Sequence, residues 1–320
     1  MKTELKLFVQ TTCYTFGEAI CALAAMLIIP SAQGQNLFVV NAGSSIIQIT
    51  PAGIKSTFAS GLSISFGLSF NSFGDLFVAD AGSASIFKYT PDGARTTFAP
   101  GVFSGYGLAF NSAGDLFVAN YSFGTITKIT PAGVTNIFAS GMITPSGLAF
   151  DSSGNLFVAD FGGGSTNLGS IIKITPAGVK STFASGIGPV GLAFSSAGDL
   201  FATDENSGKI YEFTPTGARS TFASGVPLPV APAFDSAGNL FVTSFSGDVY
   251  KYTPDGARST FASGLNGPTF LAFGPVPEPS AFGLLAVGVT ILFVRHQAHR
   301  RPNGACSGRG NPPLPHSSVS

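Results

Sequence analysis

The sequence of 320 residues predicts an all-β fold: a six-bladed β-propeller closed by a C-terminal strand that completes the first blade. Three observations carry that prediction. First, one unit recurs six times: the stretch that its clearest copy writes NLFVAD opens at Asn36, Asp75, Asp115, Asn155, Asp199 and Asn239, in steps of 39, 40, 40, 44 and 40 residues. Periods of this size mark propellers, solenoids and arrays. Second, the apolar runs within each unit are four to six residues long, rich in Phe, Val, Ile, Leu and Thr, and bounded by Gly, Pro, Asn, Asp and Ser, as strands and turns are. Third, the first unit begins at its second strand (NLFVVN, 36–41), and the missing first strand stands at the far end as FLAF, 270–273. A ring closed by that strand removes the exposed edges that an open array would leave at its ends, whereas an open solenoid gives the displacement no purpose.

Each unit reads as four antiparallel strands, a to d. Strand a is GLSF, GLAF, APAF or FLAF, and in the first five cases a turn such as NSFGD or DSSGN follows it. Strand b comes next, then a loop, then strand c, which ends in TPAG, TPDG or TPTG, and last strand d with TFAS or IFAS. Proline presets φ at the second position of such a turn and glycine ends it without strain. This alternation puts the a–b and c–d turns on one face of the ring and the b–c and d–a loops on the other. The first face is nearly identical in every unit. The second diverges, with b–c loops AGSAS (81–85), YSFGT (121–125), FGGGSTNLG (161–169), ENSG (205–208) and FSG (245–247), and d–a loops SISF (63–66), FSGY (103–106), ITPS (143–146), GPV (188–190), PLPV (227–230) and NGPT (266–269). Divergent loops on a rigid scaffold are where recognition concentrates; the longest, Phe161 to Gly169, is the first candidate for a contact surface.

The repeated G-L-A-F, D-x-x-G-N-L-F-V-A-D and I-T-P-A-G segments across 36–273 resemble the NHL-type propellers and the wider group that includes the senescence marker protein/gluconolactonase family. The resemblance implies the fold and is nearly silent on activity, because this architecture hosts binding modules, lyases and lactonases alike. The lactonases of that group imply a divalent metal held in the channel by acidic and amide side chains from several inner strands. Here no strand a carries a carboxylate.

The chain ends concern address. Residues 1–34 hold Lys2 and Lys6, an apolar stretch from Ala19 to Ile29, Pro30, and Ala32 and Gly34 as small residues before Gln35, the layout of a secretory signal peptide. The long leading segment and Glu18 beside the apolar stretch leave a membrane-retained leader or a misplaced start codon as alternatives. The expected propeller is 35–275. Beyond it, residues 276–301 run Val276, Pro277, Glu278, Pro279, Ser280, then 14 apolar residues (281–294), then Arg295, Arg300 and Arg301. Fourteen apolar residues are short of the roughly 20 that a spanning helix needs, but the order of parts resembles the PEP-CTERM sorting signal of exported proteins in Gram-negative bacteria. That resemblance implies a hydrophobic anchor helix held transiently in the inner membrane with its arginines cytoplasmic. It also implies an exosortase-type enzyme as partner, and delivery to the cell envelope, outer surface or extracellular matrix. Such signals normally stop soon after the basic cluster; here a Pro-, Gly- and Ser-rich tail of disordered composition continues over 302–320.

Charge and cysteine usage exclude several classes. From Gln35 to Pro275 there are ten Lys and Arg against thirteen Asp and Glu, so nothing suggests a nucleic-acid partner. The cysteines are Cys13, Cys21 and Cys306, and the histidines are His296, His299 and His316. The propeller therefore has no disulfide, no thiol nucleophile and no histidine for acid–base work. Neither zinc spacing nor a phosphate-binding glycine loop occurs, so no cofactor is expected, and the ligand set gives a divalent cation no support.

Candidate binding residues lie where strand b meets the loop face. A polar residue ends that strand in every unit: Asn41, Asp80, Asn120, Asp160, Asp204 and Ser244. Around a ring these can offer oxygen ligands to a hard cation, or each can cap its own loop by accepting backbone N–H bonds. Asp204-Glu205-Asn206 is the one local acidic excess, and Phe66, Phe103, Tyr106, Tyr121, Phe123 and Phe161 offer rings that can stack on sugars or anchor loops. The candidate ligand-binding set is Asp80, Asn120, Tyr121, Asp160, Phe161, Asp204, Glu205 and Asn206. The expected function is a surface-associated binding or scaffold protein that meets exopolysaccharide or a matrix protein through this face. The alternative is a metal-dependent hydrolase or lactonase with a degenerate site, using carboxylates alone; a third reading is a matrix component with no discrete ligand.

Overall fold

The computed structural model describes residues 34–163 and 169–275. The leader up to residue 33, the sorting segment 276–301, the tail 302–320 and positions 164–168 of the longest loop lie outside the described residues. Among those described, no helix is long and apolar enough to cross a membrane.

The chain forms six four-stranded antiparallel sheets. The first contains β1 (Leu37–Asn41), β2 (Ser45–Ile49) and β3 (Lys55–Ser60). Blade 2 is β4 (Ser65–Phe70), β5 (Leu76–Asp80), β6 (Ser85–Tyr89) and β7 (Arg95–Pro100), and blade 3 is β8 (Gly105–Phe110), β9 (Leu116–Asn120), β10 (Thr125–Ile129) and β11 (Thr135–Ser140). Blade 4 is β12 (Pro145–Phe150), β13 (Leu156–Asp160), β14 (Gly169–Ile174) and β15 (Lys180–Ile187). Blade 5 is β16 (Pro189–Phe194), β17 (Leu200–Asp204), β18 (Lys209–Phe213) and β19 (Arg219–Ala223), and blade 6 is β20 (Pro229–Phe234), β21 (Leu240–Ser244), β22 (Asp248–Tyr252) and β23 (Arg258–Ala262). The last strand, β24 (Leu271–Phe273), pairs antiparallel with β1 through Leu37↔Phe273, Phe38↔Ala272 and Val39↔Leu271, so the displaced strand closes the ring as the sequence predicts. Gln35 reinforces the closure: its Nε2 donates to Gly274 O at 3.0 Å, and its Oε1 accepts from Ser236 N of blade 6 at 3.1 Å.

One Phe triad is repeated at every blade interface. A strand-b phenylalanine sits edge-on between a strand-d ring of its own blade and the last strand-a ring of the next. In blade 3 these are Phe117, Phe138 and Phe150, with both centroid distances 5.0 Å. At the closing interface they are Phe241, Phe261 and Phe273, with both distances 4.9 Å. Edge-to-face pairs at this spacing add about 0.5–1.5 kcal/mol each beyond burial. Buried hydroxyls pin the inner strands where the rings do not reach: Thr203 Oγ1 accepts from Gly191 N at 2.9 Å and donates to Val230 O at 2.6 Å. Thr269 Oγ1 donates to Phe66 O at 3.0 Å.

The inner strands converge so closely that the glycine of the GLxF segments is a steric necessity. A Cβ on Gly67 would lie 1.8 Å from Tyr106 O, and one on Gly107 would lie 2.1 Å from Ser146 O. In β4, β8, β12, β16 and β20, strand a also begins two residues before the GLxF or APAF segment, ahead of a register shift such as that between Ser65 and Leu68. Phe66 and Tyr106, expected in d–a loops, are therefore strand residues. The extra residue of the bulge hides the two-residue alternation that would have marked them as strand.

Candidate functional site

At the loop face, the residue after the first position of each complete strand a points inward: Phe66, Tyr106, Ser146, Val190 and Val230. Val190, Val230, Ala231 and Phe270 form one buried cluster against which Tyr106 and Phe161 pack. Phe66 stacks on Tyr106 at 4.5 Å and Tyr106 on Tyr121 at 5.1 Å, while Phe270 meets Tyr106 edge-on at 5.4 Å. Blades 1, 3, 5 and 6 thus touch across the axis, and an apolar plug fills the channel at this end. Glu205 lies half-buried beside it, and desolvation holds its carboxyl above the ordinary carboxylate range. Burial raises the Tyr121 phenol, with the Glu205 charge adding to the effect, and burial likewise lifts Tyr106 far above the usual phenol range. At the other end of the channel a cavity of about 400 Å³ is lined by Leu68, Leu108, Leu148 and Leu192 of the inner strands.

The polar residues that end strand b are occupied with backbone. Asp80 accepts from Ile64 N at 2.8 Å, Ser63 N at 3.1 Å and Ser83 Oγ at 3.0 Å. Asp160 repeats the arrangement with Thr144 N at 2.7 Å and Ile143 N at 3.0 Å. Asn41 accepts from Asn266 N at 2.7 Å. These side chains do more than cap their own loop: they clamp the preceding d–a loop to the end of strand b. Asp204 instead caps the b–c loop, accepting from Asn206 N at 3.1 Å and Ser207 N at 3.2 Å. Asp80, Asp160 and Asp204 are all buried, and among the described residues no three His, Cys, Asp or Glu side chains come together as metal ligands. Asn206 is exposed, and Phe161 belongs to the plug.

Asn120 departs from this scheme. Its Nδ2 donates to Thr125 Oγ1 at 2.9 Å and Thr127 Oγ1 at 2.7 Å, and its Oδ1 is buried with no partner. It lines a pocket of about 380 Å³ between the end of β7 and the flank of β10 and β11, bordered by Phe103, Phe123, Thr127, Thr135 and Ile137. Phe123 rides on a single 3-10 turn, Tyr121–Phe123, that ends at left-handed Gly124.

Three of the lining residues break the repeat. Where blade 3 pairs Thr127 with Ile137, the other blades pair a bulky residue with threonine: Ile47↔Thr57, Phe87↔Thr97, Ile172↔Thr182, Tyr211↔Thr221 and Tyr250↔Thr260. Where blade 3 has Thr135, the others have Lys55, Arg95, Lys180, Arg219 and Arg258. Those cations lie across the equivalent space. Arg95 covers the Phe87 ring at 4.9 Å and donates to Gly61 O at 3.2 Å, and Arg258 covers Tyr250 at 5.3 Å and donates to Gly225 O at 3.1 Å. Thr135 is too short to make that bridge to Gly101, so the slot is open. Sequence reasoning named Asn120, Phe103 and Phe123 but missed Thr127, Thr135 and Ile137. The signal available was VTNIFAS standing where the other units read K/R-S/T-T-F-A.

No protein-family model matches the sequence, and no curated protein does. Among solved structures, the chain is similar to one chain of a nidogen/laminin complex, with TM-score 0.66 and 21% identity over 75% of this chain and 98% of that one. It is similar to a streptogramin B lyase, with TM-score 0.58 and 18% identity over 75% and 86%. It also resembles a gluconolactonase from Xanthomonas campestris, with TM-score 0.58 and 18% identity over 77% and 95%. At these identities the likeness establishes the fold alone.

Proposed function

We propose that this chain is an exported, envelope- or surface-associated binding protein that engages extracellular polysaccharide through the b–c and d–a loop face. In this reading the 1–34 leader directs export, and an exosortase-type system sorts the chain at the 276–301 segment. The observation that carries it is the economy of the loop face: its buried carboxylates are committed to backbone N–H groups and its axis is plugged by aromatic and apolar side chains. Among the side chains left facing solvent are the loop rings Phe103, Phe123 and Phe245 and the aliphatic Ile64, Ile143 and Leu228. Such a face suits adhesion to a surface, and its axis is filled by the plug instead of being concave. The fold itself does not choose between binding and catalysis, since similar propellers include one named for a lyase and one named for a gluconolactonase.

The test is co-sedimentation of the full-length chain with isolated extracellular polysaccharide, beside lactonase and esterase assays with Ca²⁺, Mg²⁺, Mn²⁺ or Zn²⁺. Saturable retention without turnover is expected. Cation-dependent turnover abolished in Asp204→Ala would replace this reading with a metal-dependent hydrolase. For the sorting segment, replacing Pro277, Glu278 and Pro279 by alanine is expected to retain the chain in the inner-membrane fraction; an unchanged distribution would remove the exosortase step.

A further inference from the structure

We propose that the blade 3 slot is a binding subsite for one neutral pyranose unit of a glycan, an inference that rests on the polysaccharide-binding reading above and gives it an address. The repeat supplies the control. Five blades fill this position with a bulky strand-c side chain and a long strand-d cation, whereas blade 3 removes both at once, through Thr127 and Thr135, and places Phe103 and Phe123 at the rim. A single loss would be drift within a tolerant surface, but here paired positions on two strands change together with the loops above them.

The lining specifies the ligand. No charged side chain borders the pocket, so an ionic ligand would be desolvated without a counter-charge. Phe103, Phe123 and Ile137 are each more than 60% exposed, a rim of apolar surface waiting for a flat partner. Beneath it the Asn120 residue is only 5% exposed and its Oδ1 has no hydrogen-bond partner, which a purely apolar ligand would leave unanswered. A pyranose meets both demands, with its C–H face against a ring and a hydroxyl on the buried amide. Because a hydroxyl both donates and accepts, it satisfies Asn120 in either orientation of the amide. The volume, about 380 Å³, lies at the lower end of small-molecule sites and suits one ring.

The experiment is saturation-transfer NMR and titration of the full-length chain with methyl glucoside, galactoside and mannoside. The variants are Phe123→Ala, which touches an exposed ring, and Thr127→Phe with Ile137→Thr, which rebuilds the Phe87–Thr97 pair of blade 2. At least one glycoside is expected to bind saturably, at least tenfold more weakly in Phe123→Ala with thermal unfolding unchanged, and not measurably in the rebuilt variant, which loses the Thr127 acceptor for Asn120 Nδ2 and melts lower while still unfolding cooperatively. Glycoside binding that survives the rebuilt variant overturns the subsite while leaving the polysaccharide reading in place. Absence of glycoside binding alongside retention on the polymer does the same. Loss of both refutes the polysaccharide reading itself. Binding of indole with no response to any glycoside overturns the sugar assignment.

Discussion

Replacing Phe241 by alanine tests whether the closing seam bears the same load as any other blade interface. The ring is 3% exposed and stands edge-on to Phe261 and Phe273, each 4.9 Å away. Truncating a buried phenylalanine costs about 3–5 kcal/mol from lost transfer free energy and the cavity left behind. For a ring of this size each kcal/mol lowers the melting temperature by about 2–4 °C, so Phe241→Ala should melt about 6–20 °C below the native chain. Phe117→Ala is the matched control, since Phe117 is also 3% exposed and has both partner rings at 5.0 Å. Thermal and guanidinium unfolding of the two variants should agree within about 1 kcal/mol, the scale on which ring-pair energies vary. A loss below about 1 kcal/mol in Phe241→Ala, beside a full loss in Phe117→Ala, would refute the view that β24 seals the propeller energetically. A sealed ring also predicts coupling of about 0.5–1.5 kcal/mol between Phe241 and Phe273 in a double-mutant cycle.

Asp80→Ala removes the acceptor for Ser63 N, Ile64 N and Ser83 Oγ and should cost at least about 2 kcal/mol in denaturant unfolding, because bonds to a charged group are worth about 1.5–3 kcal/mol. Thr203→Val keeps the shape but strands Gly191 N and Val230 O at the axis, for an expected loss of about 1–3 kcal/mol by the same assay. Glu205 gives a pH signature: desolvation raises its folded pKa above the unfolded value, so its protonated form favours the fold and stability falls as pH rises through the carboxylate range. Glu205→Gln should therefore melt above the native chain at pH 7 and converge with it in acid, as thermal unfolding between pH 3 and 8 will show; a native advantage at pH 7 would contradict this.

The repeat made the fold legible because each blade is nearly self-similar and the orphan strand at 270–273 has one place to go. What it concealed depends on pairing across distance. Phe66 and Tyr106 read as loop because the bulge at Ser65 and Leu68 breaks alternation and the glycines at 67 and 107 look like turn punctuation; those glycines are there because the neighbouring carbonyl lies where a Cβ would stand. The strand-b carboxylates were recognisable as backbone acceptors. Their reach to the d–a loop was not, since Asp80 bonds a residue 17 positions earlier, across the hairpin.

The blade 3 slot, too, is illegible one residue at a time. Asn120 stands out only as one of six polar strand ends, none of Thr127, Thr135 and Ile137 is a catalytic or metal-ligating type that draws attention alone, and each substitution is ordinary in isolation. Only the ladder shows that Thr127 faces Ile137 and that Thr135 stands where Arg95 or Arg258 bridges to the preceding blade. In a propeller the other blades are internal references for every position. A departure shared by two facing strands and by the loops above them, with a buried amide oxygen left unpartnered, therefore weighs more than the strand-b carboxylates of Asp80, Asp160 and Asp204, which are buried and spent on loop backbone.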